Sequence, residues 1–305
     1  MSEQKKWIAG FWRRIGALFI DSIVLGLVGL SLGLFLEEYF IQVGSWGRVI
    51  GFSIALVYFG IMNSHLANGQ TIGKKILKLK VVTADNQAIS LVTSLGRYSI
   101  LGIPFFMNNA QFPIEAFSSF WLYLLSLVIL GGLLTISYLY VFNRATRQSL
   151  HDLIFNTYVV NMNVDSENLN PVWKPHLYIA GFILFAAAIA PVFTYGLIQQ
   201  EPFVTILKGQ QSLQENSIVN YSSVSYGKSL GANAESTYVS TQVFLNKNNI
   251  SDTTLAREFA NVLLVNDSTI RQKDIIVVNL IYGYDIGISS WWSTYSHRFK
   301  PSELN

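Results

Sequence analysis

The sequence predicts an α-helical transmembrane bundle of about five spans, one of them weak, joined to a small C-terminal α+β domain outside the membrane. Three observations predict it. Of 305 residues, 51% are hydrophobic and only 13% are charged, where a soluble domain carries about 25% charged residues. Long apolar stretches alternate with basic loops across the first two hundred positions or so. Beyond about residue 200 the chain becomes rich in Ser, Asn, Thr and Tyr with balanced charges, the composition of a folded domain. This divides the chain into residues 1–165, a membrane unit with a small cytoplasmic sheet; 166–199, a linker and fifth span; and 200–305, an extracytoplasmic domain.

Span one is expected from about Ile15 to Leu36, long enough to cross a hydrocarbon core of roughly 30 Å at 1.5 Å per residue. Ser22, Gly26, Gly29 and Gly33 form a small-residue stripe on it, which predicts the close approach of another helix. Asp21 interrupts the same span. A carboxylate at membrane depth is costly and faces protein or water. Arg14 lies seven residues earlier on the same helical face, about 10 Å away along the axis, so each needs a partner from elsewhere.

Span two runs from about Val49 to Leu66, where His65 reads as an interfacial residue. In the following basic stretch, a helical turn from Thr71 is expected to run into a strand with Leu79 and Val81 on one side, ended by a turn at Ala84 to Gln87. GQTIGKK lacks the spacing and the hydroxyl of a phosphate loop. Residues 91–110 are short and hold Arg97 and Pro104. They must nonetheless cross if span four, Phe120 to Phe142, is to deliver Arg144 and Arg147 to the side of the other basic clusters. Tyr158 to Asn161 reads as a strand able to pair with Leu77 to Val82. Span five, His176 to about Leu197, carries Pro191, which predicts a kink.

The basic clusters are Lys5, Lys6, Arg13 and Arg14; Lys74, Lys75, Lys78, Lys80 and Arg97; and Arg144, Arg147 and Lys174. Placed beside apolar spans, they predict a multi-pass cell-membrane protein with a cytoplasmic N-terminus and an outer C-terminal domain. With a net charge of +3 they are no argument for a nucleic-acid partner. The absence of cysteine excludes disulfides, thiolate metal sites and a cysteine nucleophile within the chain. The first apolar stretch is too long for a signal peptide and reads as a retained span.

In the last hundred residues, STYVSTQVFLN and DIIVVNLIYGYDIGISSWWS are strand-rich, the second bent near Gly283 or Gly287. A helix between them starts at Ser251 or Asp252 and turns Leu255, Phe259, Val262 and Leu263 inward. GKSLG, Gly227 to Gly231, has the form of a nucleophile motif at Ser229 but sits in turn-rich sequence and reads as a hairpin loop. Trp291 and Trp292 read as core or as a membrane-surface anchor. No catalytic, cofactor or metal cluster stands out, and the chain is read as a non-enzyme.

RRIGALFID, then GQTIGKKILKLKVV, then RQSLHDLIFNTYVV resemble, in order and spacing, the RDD family of polytopic membrane proteins, over roughly residues 8 to 162. The resemblance implies that Arg14, Asp21 and Asp152 are the family's named residues and that Arg97 matches a further basic position. Lys78 stands where the family tends to have glycine. Some members are described as exchanging Na+, Li+ or K+ for protons. Exchange needs a partly desolvated carboxylate that holds either a proton or a cation. Asp21 is the candidate by depth, and Asp152 beside His151 is a candidate relay. Arg14 and Arg97 would tune them, and Asn63, Ser64, Ser22 and Ser137 could add the further oxygens a cation needs. The alternative is a structural ion-pair network in a non-transporting scaffold or sensor whose outer domain binds an envelope partner.

Overall fold

The structure, a computed structural model, describes residues 7–112, 120–164, 171–198, 200–201, 203–230 and 235–304. Helix α1, Phe11–Val43, spans the first apolar stretch and continues past it; Leu36, the expected end of span one, has non-helical torsions. After a short 3-10 turn comes α2, Gly47–Met62. It ends four residues earlier than expected because Ser64 turns extended and its hydroxyl accepts from Leu66 N, starting a new turn.

Thr71 caps α3, Ile72–Ile76, by accepting from Lys74 N. Strand β1, Leu79–Thr83, then pairs antiparallel with β2, Thr157–Asn161, in the register Leu79↔Asn161 to Thr83↔Thr157. This is the expected sheet, with Leu79 and Val81 buried. Lys78, between α3 and β1, has φ of +53°, a left-handed torsion that favours glycine. Helix α4, Leu91–Met107, is capped by Ser90 and contains Pro104.

Helices α5, Phe120–Leu125, and α6, Gly132–Phe142, are one apolar rod joined by a π-helical turn at Ser126–Gly131. In that turn Ser126 Oγ donates to Ala187 O at 2.7 Å, which ties the rod to α8, Lys174–Ile198. Between rod and α8 lies α7, Leu150–Ile154. Among the described residues, three stretches are long and apolar enough to cross a membrane: Phe11–Met62, which holds both α1 and α2, Phe120–Phe142 and Lys174–Phe193. Helix α4 is apolar but shorter, at 17 residues. Residues 165–170 and 199, in the expected linker and at the end of span five, lie outside the described residues.

The C-terminal part opens with α9, Phe203–Gln214, which the sequence reading missed. Strands β3, Val219–Leu230, β4, Glu235–Leu245, β5, Ile275–Asp285, and β6, Ser290–Phe299, form one sheet in the order β3-β4-β5-β6. Strands β4 and β5 run parallel, connected through α10, Thr253–Asn266, and the other pairs are antiparallel. Asp252 is the cap of α10, accepting from Thr254 N and Leu255 N. Phe259 and Leu263 of α10 pack with Leu213 of α9 onto Val239, Val243, Ile276 and Val278 of the sheet.

Four expectations change. The bend near Gly287 is a full reversal, a β5–β6 hairpin whose turn at Ile286–Ser289 uses Gly287 at φ +79°. The glycine stripe of α1 receives this hairpin rather than a helix. A Cβ on Gly29 would lie 2.6 Å from that of Ser289, and one on Gly33 would strike the Tyr284 hydroxyl. From α2, Gly47 and Gly51 face the carbonyls of Asp285 and Ile286. The C-terminal domain is thus seated against one end of the bundle. Gly227 to Leu230 belong to β3, where Ser229 pairs with Ser236, so the loop expected there begins later; Gly231 lies outside the described residues. Trp291 and Trp292 are exposed, at 44% and 39%, and so are not core; Trp292 stacks edge-on against Phe244.

Candidate functional site

At the basic end of the bundle, opposite the hairpin, α7 is held by a capping box in which Ser149 N donates to Asp152. This fixes Asp152 at the first turn of a five-residue helix, and the residue is fully buried. Arg14 Nη2 from α1 donates to Asp152 Oδ2 at 2.9 Å. Arg97 from α4 brings Nη2 and Nε to Oδ1 at 2.6 and 2.9 Å. The Thr157 hydroxyl of β2 completes the set at 3.1 Å. One carboxylate therefore joins α1, α4, α7 and β2. Burial opposes its ionisation, but Arg97 and Arg14 prevail and hold the Asp152 carboxyl well below the usual carboxylate range. Arg14 also donates to Arg147 O and lies 4.8 Å over the Tyr140 ring.

Asp21 is equally buried but has different partners. Its Oδ1 accepts from the Tyr58 hydroxyl at 2.7 Å and from Gly73 N at 2.8 Å, and its Oδ2 accepts from Thr71 Oγ1 at 2.6 Å. Tyr58 also accepts from Ile72 N, and Thr71 from Lys74 N, so their lone pairs are engaged by α3. Asp21 thus pins α3 to α1 by neutral donors. The expected partners are divided: Arg14, Arg97 and His151 gather on Asp152, and no ion pair to Asp21 is found among the described residues.

His151 Nε2 lies 3.5 Å from Asp152 Oδ2, while Nδ1 is buried with no hydrogen-bond partner among the described residues. Burial pushes the imidazole down to about 3, so it is neutral at physiological pH despite the adjacent carboxylate. Lys74, in α3, donates to Asn63 Oδ1 at 2.8 Å. Burial of the amine, with Arg97 and Arg14 nearby, lowers it to about 7 against the opposing pull of Asp21. The oxygens suggested for a cation site are committed elsewhere: Asn63 accepts from Lys74, Ser64 Oγ donates to Ile61 O, and Ser22, exposed, donates to Leu18 O. Ser137 is exposed on α6. Among the described residues, no group of three or more His, Asp or Glu is placed to hold a metal ion.

Sequence reasoning missed Tyr58, Thr71, Lys74 and Thr157 as members of these networks. Only the N-cap character of Thr71 ahead of GKK signalled one of them.

Comparison with known proteins places these residues in context. The profile of the RDD family matches residues 8–156, the segment that carries Arg14, Asp21, Arg97 and Asp152. The uncharacterized protein YckC of Bacillus subtilis is 27% identical over 162 residues, covering 53% of this chain and 90% of YckC. The uncharacterized protein YxaI of the same organism is 31% identical over 111 residues, covering 30% of this chain and 73% of YxaI. No solved structure matches the chain significantly.

Proposed function

We propose, from the premise that this chain belongs to the RDD family, that it is a non-transporting scaffold of the cell membrane whose bundle holds the outer domain in a fixed pose for an envelope partner. The observation that carries this reading is that the two buried carboxylates of the bundle are already engaged. Asp152 is claimed by two guanidiniums and Asp21 by three donors from Tyr58, Thr71 and Gly73. A cation exchanger needs a carboxylate with free lone pairs and further oxygens around it. Three of the four acceptor sites of Asp21 are taken, so a cation there would find one lone pair of Oδ2 and would compete with donors that also hold α3 in place. The seated hairpin supports the same reading, because it couples the outer domain to α1 and α2 through close contacts.

In this proposal the basic end faces the cytoplasm with the N-terminus, α4 completes a five-span topology, and the outer domain stands outside with no catalytic role. Its sheet face opposite α9 and α10 presents Ser223, Ser225, Ser240, Gln242 and Asn279, a polar surface suited to a protein partner.

Exchange of Na+, Li+ or K+ for protons at Asp21 is the competing reading, and one assay separates the two. An imposed proton gradient is followed in everted vesicles while each cation is added, for the wild type and for Asp21→Asn at equal abundance. The scaffold reading expects no cation-dependent dissipation from either protein. Dissipation by the wild type that Asp21→Asn abolishes would overturn it.

A further inference from the structure

Between α1, α4 and α6, above α3 and α7, lies a cavity of about 370 Å³. Its walls are mostly apolar, among them Leu18, Phe59, Leu101 and Ile136. Its polar lining is one-sided in charge: Arg14, Lys74 and Arg97 face it, with His151, and neither Asp21 nor Asp152 does. Asp152, behind the lining, is shared by Arg14 and Arg97 and so leaves one positive charge of the pair uncompensated, while Asp21 is turned to the neutral donors of Thr71, Tyr58 and Gly73. Lys74 Nζ, with three N–H groups to place, has its one described hydrogen bond at Asn63. His151 Nδ1 is buried beside it without a partner among the described residues.

The cavity is open on one side. Ile15, Leu18 and Val141, on α1 and α6, line it and are each more than a third exposed. A second cavity of about 190 Å³ shares Leu18, Phe59, Tyr98 and Leu101 with the first and ends beneath Gly287 and Ile288 of the hairpin turn. The two form a long cleft with a cationic end and an apolar body, open toward the lipid.

We propose that this cleft binds an acidic phospholipid of the surrounding bilayer, its phosphate among Arg14, Lys74 and Arg97 and one acyl chain along Leu18, Phe59 and Leu101. A basic pocket between spans on the cytoplasmic side fits anionic headgroups. The size falls in the range of preformed ligand sites. Bulk phosphate would fill the cationic end but leave the apolar body wet, and a zwitterionic lipid would bring its own cation against Lys74. The proposal rests on membrane embedding and is independent of whether the protein transports ions.

The test uses the delipidated full chain in a mild detergent, with thermal unfolding and native mass spectrometry as readouts. Phosphatidylglycerol is expected to bind at one molecule per chain and raise the unfolding temperature, whereas phosphatidylcholine of the same chains binds at least about tenfold more weakly. Lys74→Gln, checked for an unchanged helical spectrum, is expected to lose about tenfold in phosphatidylglycerol affinity. Leu101→Trp, which fills the body of the cleft, is expected to abolish lipid binding with Lys74 intact. Equal binding of the two lipids would overturn the proposal, as would a Leu101→Trp protein that still binds phosphatidylglycerol normally. Stabilisation of the same size by inorganic phosphate would assign the cationic end to a free anion and overturn the lipid assignment.

Discussion

The two ends of the bundle are held together by different physics. At the basic end, Asp152 gathers Arg14 and Arg97 from separate helices into a buried network with directed bonds. At the other end the β5–β6 hairpin lies against glycines of α1 and α2, where backbone carbonyls and small side chains meet at van der Waals range. A buried charge network does not tolerate loss of a partner, because the remaining charge is left in a poorly solvating medium. A seat formed by missing side chains tolerates changes of chemistry but not of volume.

The largest effect should come from breaking the first kind of contact. Asp152→Asn leaves two guanidiniums buried without a counter-charge and should cost roughly 3–5 kcal/mol, read as a large fall in folded yield and unfolding temperature. If it were as stable as the wild type, the basic end would not be charge-held. Gly51→Val places a branched side chain where Ile286 O lies and should cost about 1–3 kcal/mol by overpacking. It should also free the hairpin, so limited chymotrypsin digestion should cut near Tyr284 or Trp291 faster than in the wild type.

The pH dependence sharpens the contrast. His151 is neutral in the folded state, with its pKa lowered from 6.5 to about 3. The unfolded chain therefore binds more protons between those values, and stability falls as pH drops through that window. The expected loss between pH 7 and pH 5 is about 2 kcal/mol. Lys74, lowered from 10.5 to about 7, contributes its slope above that window, where stability rises with pH. Asp152, depressed below its ordinary 3.8, loses its contribution only at more acid pH. His151→Gln should flatten the slope from pH 7 to 5, as read by thermal unfolding. An unchanged slope would remove His151 from the network.

What was legible in the sequence follows the same division. Charges in or beside apolar stretches stand out, so Arg14, Asp21 and Arg97 could be singled out, whereas Asp152 came only with the family resemblance; alternation at Leu79 and Val81 with a short partner strand gave the β1–β2 sheet. Pairing was not legible. Helical rise kept Arg14 from Asp21, but nothing local said that Asp152 would take both arginines while hydroxyls and an amide took Asp21. The glycine stripe announced close approach without naming what approaches, since a hairpin turn and a helix need the same empty space. Helix α9 escaped notice because Lys208, Gly209, Gln210 and Gln211 break up its apolar positions.

Among the described residues one ion pair crosses the hairpin end, and it offers the finest test. Arg48 of α2 places Nε and Nη2 on Asp285 Oδ2 at 3.0 and 2.7 Å, and Nη1 near Asn108 O at 2.5 Å. The pair has the right geometry, yet both side chains remain partly solvated, at 18% and 27%. Pairs of this kind couple by about 0.2–1 kcal/mol and are screened by salt. A double-mutant cycle of Arg48→Ala and Asp285→Ala, read by unfolding at low and high salt, should return a coupling in that range that shrinks with salt. The carbonyl contacts of Arg48 cancel in the cycle, since they are lost with or without Asp285. A coupling of several kcal/mol that salt leaves unchanged would mean that the hairpin too is held by a desolvated ion pair. In that case Gly51→Val should leave the hairpin protected from protease, because the ion pair would hold it after its glycine seat was filled.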